Sequence, residues 1–174
     1  IIDPTANLKD AARRIAFGKF FNNGQTCIAP DYVLIERSVR DQFISLLGER
    51  INNMFGEGKA VTESSQDYGR IVNGKHFARL SRLIRDGIER GARPVFGGVV
   101  NESSLFFQPT VLVDVHPDAL IMDEEIFGPV LPVVDIESIG SAIEVINRKP
   151  KPLALYLFSN SRSARRRVLQ ETSS

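Results

Sequence analysis

A chain of 174 residues, 43% of them apolar, can bury one ordinary core, and no apolar run approaches the roughly 20 residues that span a bilayer. Its 22 lysines and arginines nearly balance 21 aspartates and glutamates and lie scattered, so neither nucleic acid nor an anionic membrane is an expected partner. One cysteine excludes an intrachain disulfide, and with only His76 and His116 as further nitrogen ligands no metal site is expected, which leaves Cys27 to packing or to chemistry.

Taken in order, Ile1-Ile2-Asp3-Pro4 reads as the end of a strand turning into a helix, with no basic, apolar leader in Ile1 to Asp10, so a cytoplasmic location is expected. Asn7 is placed to cap a helix in which Leu8, Ala11, Ala12, Ile15 and Ala16 recur at helical spacing, and Asn22-Asn23-Gly24 to stop it. Tyr32 to Glu36 is a short β-branched strand, and Ser38 then caps a helix faced by Phe43, Leu46, Leu47 and Ile51. Gly56 to Gly69 has no period and reads as a surface loop. A third helix follows, with Phe77, Leu80, Leu83, Ile84 and Ile88 on one side and Gly91 as its stop. Arg93 to Phe96 and Phe107 to Val115 read as strands of a hairpin around Gly97-Gly98, and Val130 to Ile136 as another, entered through Pro129 and Pro132. A helix from Ser138 to Asn147 comes next. Leu153 to Phe158 (LALYLF) is apolar on both faces and is expected in the middle of a helix-covered sheet. Ser161 opens a last helix whose Arg162, Arg165, Arg166 and Arg167 form a solvated face. The alternation predicts an α/β fold: an open, largely parallel twisted sheet with helices on both faces.

The most informative stretch is Phe20 to Asp31, FFNNGQTCIAPD. A lone cysteine is more often a small buried hydrophobe than a nucleophile. Here it sits just past a helix end, in a segment too polar and turn-prone for a core. Backbone amides around such a turn can converge on one spot, where they stabilise a thiolate and the oxyanion formed when it attacks a carbonyl. A second stretch, Asp123 to Pro129 (DEEIFGP), reads on its residues alone as a solvated helix terminus.

Together these stretches resemble the aldehyde dehydrogenases. Phe20, Gly24-Gln25 and Cys27-Ile28-Ala29 match that family's cysteine signature, and Glu125, Phe127, Gly128 and Pro129 its E-x-F-G-P segment, in the same order; the resemblance runs through nearly the whole chain. CIAPDYVL, EEIFGPVLP and KPLALYLF are most similar to the class-3 branch and its coniferyl aldehyde dehydrogenases. The resemblance implies Cys27 as nucleophile, Glu125 gripping the ribose of a nicotinamide, and Phe127 packing beside the nicotinamide ring. A carboxylate accepts two hydrogen bonds and so suits paired hydroxyls. His76 and Arg79, one helical turn apart, either face the cofactor or form an exposed polar face, and stay outside the predicted site.

The implied reaction is oxidation of an aldehyde, aromatic or hydrophobic, to its acid by NAD or NADP, with NAD favoured, through a thiohemiacetal and a thioester. Residues 1–174 would be the cysteine-bearing catalytic domain, cut at both ends, without the nucleotide-binding domain. The family's general base and oxyanion asparagine would lie upstream, so these residues alone are expected neither to bind NAD tightly nor to turn over aldehyde; the full-length protein would be a homodimer. Two other readings compete: a semialdehyde or acyl reductase with other thioester chemistry, and a non-catalytic scaffold, which the pairing of Cys27 with Glu125 and Phe127 disfavours. A cysteine hydrolase would want a histidine partner, and neither His76 nor His116 has a pattern that suggests one.

Overall fold

A computed structural model describes residues 1–174. Four strands form the main sheet in the order β1-β6-β5-β2: β1 is Val33–Glu36, β2 Arg93–Phe96, β5 Thr110–Val113 and β6 Val130–Ile136. β6 pairs parallel with β1 and β5, and only the edge strand β2 runs antiparallel. β3 (Val100–Asn101) and β4 (Phe106–Phe107) make a small separate hairpin. The parallel sheet with helices on both faces is the predicted class.

Alternation along the strands divides the core. Val33, Ile35, Val111, Val113, Leu131 and Val133 point to one face, where α1 (Leu8–Phe20) and α2 (Arg37–Phe55) cover them with Ile15, Phe20, Phe43, Leu47 and Ile51. Leu112 and Val130 face the other way, onto Phe77, Leu80 and Leu83 of α3 (Gly74–Glu89) and onto the short α4 (Leu120–Asp123). Leu34 and Ile136 meet Ala142 and Ile146 of α5 (Ile139–Asn147), and α6 (Arg162–Glu171) packs beside α5. No helix is long and apolar enough to cross a membrane.

Asn7 caps α1 as expected, and Ser138 and Ser161, read as helix starts, cap α5 and α6 from just outside them; each side chain accepts from the backbone N–H three residues on. Ser38 is not a cap: β1 runs directly into α2 at Glu36, with no connecting loop. The stretch read as one strand from Phe107 to Val115 is two, because Gln108 and Pro109 separate β4 from β5. The larger correction is Leu153 to Phe158, which forms no regular strand. It runs beside Ile1 to Asp3, with Phe158 bridging Ile2 and Ile2 in turn bridging Ile35. Its far side is uncovered, Leu153 is 69% exposed and Tyr156 42%, so apolar character placed it next to the sheet without enclosing it.

Candidate active site

Two segments distant in sequence meet at the end of α1. The first begins where the helix stops. Asn22, Asn23 and Gly24 all take left-handed backbone, with φ of 51°, 55° and 70°, a region open to asparagine and glycine and costly to other residues. A Cβ on Gly24 would stand 2.3 Å from the Gly128 carbonyl oxygen, so the close approach of the two segments requires glycine there.

Past that turn the loop is tied down on both sides of Cys27. The buried Asn23 donates its amide to the Gly69 carbonyl at 3.3 Å. The Gln25 side chain donates to the Arg70 carbonyl at 3.1 Å and accepts from the Val72 N–H at 2.9 Å. Downstream, the Tyr156 hydroxyl donates to the Ile28 carbonyl at 2.9 Å. Between these anchors Cys27 is exposed. The backbone N–H groups of Gln25 and Ala29 are used, by Asn22 and Thr26, whereas those of Thr26, Cys27 and Ile28 donate to nothing in the chain. Free amides beside an exposed sulfur can hold a negative oxygen on a carbon attached to that sulfur. Phe21 and Ile28, 56% and 52% exposed, leave apolar surface on either side of Cys27 in the sequence.

The second segment follows α4. Glu125 is exposed and its carboxylate makes no hydrogen bond within the chain, while Phe127 is half-buried with φ 46°. For a bulky residue that conformation is strained by roughly 1–3 kcal/mol and persists only where neighbours impose it. Arg79 of α3 imposes much of it. One guanidinium nitrogen donates to the Glu125 carbonyl at 2.9 Å and, at 3.4 Å, to the Glu124 carboxylate; the other donates to the Ile126 carbonyl. Arg82 also binds Glu124. Gly128 closes the segment against Leu80, whose Cδ2 lies 2.4 Å from where a Cβ would be.

Asp31 joins the halves: its carboxylate, four residues after Cys27, accepts the Ile126 N–H at 3.0 Å. Lys19, in the last turn of α1, is fully buried with its amine unpartnered. Burial pushes its ammonium down to about 8, while the charges of Asp31 and Glu125 pull it back up.

The structure thus gathers Cys27, Glu125 and Phe127 on two segments clamped by Gly24 against Gly128 and by Asp31 on Ile126. His76 contributes its backbone N–H to the Asn73 cap of α3, and its imidazole makes no hydrogen bond. Arg79 does reach the site, as a brace on backbone. Sequence reasoning missed Lys19 and Asp31. Lys19 carried a signal, since it extends the buried stripe Ala12, Ile15, Ala16 at helical spacing; Asp31 carried none. A cleft of about 390 Å³ along α1, lined by Phe17, Pro30, Met54, Tyr156 and Phe158 among others, touches none of Cys27, Glu125 and Phe127.

The family model described as "Aldehyde dehydrogenase family" matches residues 1–174. Among curated proteins, the chain is 46% identical over 173 residues to the 4,4'-diaponeurosporen-aldehyde dehydrogenase of Staphylococcus aureus (strain NCTC 8325 / PS 47), covering 99% of this chain and 36% of that protein. It is 44% identical over 173 residues to the rat (Rattus norvegicus) "aldehyde dehydrogenase, dimeric NADP-preferring", with the same 99% and 36% coverage. Among solved structures, the substrate-bound state of Staphylococcus aureus AldH superposes with a TM-score of 0.91 at 45% identity, over 99% of this chain and 36% of that one. The chain therefore spans about a third of the length of the relatives it matches.

Proposed function

The chain belongs to the aldehyde dehydrogenase family, and on that premise we propose that the full-length protein oxidises an aldehyde to a carboxylic acid with a nicotinamide dinucleotide, Cys27 being the nucleophile. The observation that carries this reading is the exposed thiol with three free backbone amides beside it, fastened to a second segment that presents a free carboxylate and a half-buried ring.

Attack of the Cys27 thiolate, its proton given up to water, on the aldehyde carbon forms a C–S bond as the carbonyl π bond breaks and places negative charge on the former carbonyl oxygen. The amides of Cys27 and its neighbours receive that charge. The carbon, now tetrahedral, can release hydride, which the planar carbonyl carbon could not do without an added nucleophile. The nicotinamide, when bound, supplies the hydride acceptor. Release leaves a thioester on Cys27, and water cleaves it to the acid and the free thiol.

Glu125 and Phe127 fit such a cofactor. A carboxylate with both oxygens free can accept from two vicinal ribose hydroxyls, and a ring locked beside it limits the tilt of a neighbouring heterocycle. The base that activates water, the asparagine completing the oxyanion site and the nucleotide-binding domain belong, on this reading, to parts of the protein outside residues 1–174. We favour NAD, although three relatives are NADP-preferring by name. The exposed Ile28 that follows Cys27 supports a hydrophobic substrate, and on the resemblance of the class-3 motifs coniferaldehyde is among the first to try. A cytoplasmic homodimer completes the reading.

The test is reduction of NAD and of NADP by the full-length protein over a panel of aromatic and aliphatic aldehydes, run beside Cys27→Ala. Reduction by the parent alone supports the reading, with coniferaldehyde expected among the better substrates. Equal rates in both proteins contradict the role of Cys27, and no reduction with any aldehyde contradicts the oxidation itself.

A further inference from the structure

α1 carries a lysine on the side that faces the core. Ala12, Ile15 and Ala16 fill that face, and Lys19 takes the next place on the same stripe, fully buried. An ammonium taken out of water without a partner is costly, and buried charges are ordinarily paired. The Lys19 amine has no acceptor in the chain.

Two carboxylates act on it. Asp31 has the larger influence, and one of its oxygens is held by the Ile126 N–H at 3.0 Å. Glu125 is free: its carboxylate is exposed and makes no hydrogen bond, although Arg79 and Asp31 fix the backbone on which it stands. Gly24 brings the end of α1 that carries Lys19 against the segment that carries Glu125, since a Cβ there would stand 2.9 Å from the Lys19 carbonyl oxygen and 2.3 Å from that of Gly128; an unpartnered buried cation thus lies at the join beside the segment with the unpartnered carboxylate. For the fold alone an aliphatic side chain at position 19 would serve better. A group that costs stability beside a candidate site is a mark of function.

We propose that Lys19 is a positioning residue for the cofactor end of the site: its buried ammonium draws the Glu125 carboxylate inward and fixes where the vicinal hydroxyls of the nicotinamide ribose are gripped. The proposal rests on the reading of Glu125 as the ribose-binding carboxylate. It adds a residue on the cysteine-bearing segment that sets the geometry of the cofactor-bearing one.

The experiment reads binding without turnover. In the full-length protein carrying Cys27→Ala, dissociation constants for NADH, or for NADPH if that binds better, are measured by nicotinamide fluorescence for Lys19→Met, Glu125→Gln and the pair, with thermal midpoints alongside. The expected result is a loss of affinity of about 10-fold for each single variant. The pair binds no more weakly than Glu125→Gln alone, and the midpoint of Lys19→Met is unchanged or raised. Lys19→Gln, which keeps a polar end without the charge, loses the same affinity and serves where the methionine variant folds poorly. Unchanged affinity in the Lys19 variants, or losses that multiply to about 100-fold in the pair, overturns the proposal and leaves Glu125 in its role. Wild-type affinity in Glu125→Gln removes the reading of Glu125, and the proposal with it.

Discussion

Arg79 and Lys19 both bear on the segment from Glu124 to Phe127, the first from α3 and the second from α1. Arg79 is partly buried and meets two carbonyls and a carboxylate, so its charge is directed at backbone that would otherwise lack donors. Lys19 is fully buried and meets nothing. One side of the site is therefore braced at a gain in stability, and the other holds a charge at a cost. That contrast separates what the fold needs from what the chemistry needs, and substitutions along the two sides should have opposite signs.

The largest effect sits where neither cation acts. Cys27→Ala should lower aldehyde turnover by more than about 10³-fold with the fold intact, because an exposed thiol contributes little to packing. Parent-like kcat in that variant would empty the contrast of its meaning.

Next is the join between the sides. Gly24→Ala places a methyl against the Gly128 carbonyl and demands left-handed backbone from alanine, so it should cost about 3 kcal/mol and lower the midpoint of thermal unfolding. A midpoint within a degree of the parent would show that the segments are not in contact.

Lys19 gives a signature in pH. Its folded value of about 8 lies below the ordinary 10.5, so below pH 8 both folded and unfolded chains carry the proton and the folded state bears the full cost of a buried charge. Between pH 8 and 10.5 the unfolded chain binds a proton that the folded chain does not, and stability rises with pH. Lys19→Met should therefore be more stable than the parent near neutral pH, with the gap closing by roughly 3 kcal/mol as pH approaches 10.5. A gap that stays constant or widens over that range would mean the amine is not buried uncharged-favouring as described.

On the braced side the sign reverses. Arg79→Met strands the carbonyls of Glu125 and Ile126 and frees Phe127 from its strained backbone, so it should cost about 2 kcal/mol in stability and weaken cofactor binding with it. If stability holds while affinity falls, Arg79 acts directly on the cofactor instead. The smallest effect belongs to Tyr156→Phe, which removes a single hydrogen bond to the Ile28 carbonyl and should cost less than about 1 kcal/mol.

What the sequence disclosed follows the same division. Local signals read well: Asn7, Ser138 and Ser161 announce helix starts because capping is decided within four residues. Cys27, Glu125 and Phe127 stood out because they lie in short motifs. Interactions between the motifs did not. Nothing around Asp31 foretells that it accepts from Ile126, 95 residues away. Lys19 was half legible, since it falls on the apolar stripe of α1, but a lysine at such a place usually extends its amine to water and only the packing shows that this one does not. LALYLF misled for the converse reason: hydropathy measures a wish for burial, and the neighbours that would satisfy it are not encoded in the stretch itself.

The covalent step at Cys27 is the most directly testable part of the chemistry. The full-length protein is mixed with aldehyde and NAD, quenched in acid during turnover, digested, and the Cys27 peptide weighed. The expected result is an added mass equal to the aldehyde less two hydrogens, the thioester, only when the nicotinamide is present. Reduced cofactor accumulating while the Cys27 peptide stays unmodified in rapidly quenched samples, with Cys27→Ala still active, would contradict it.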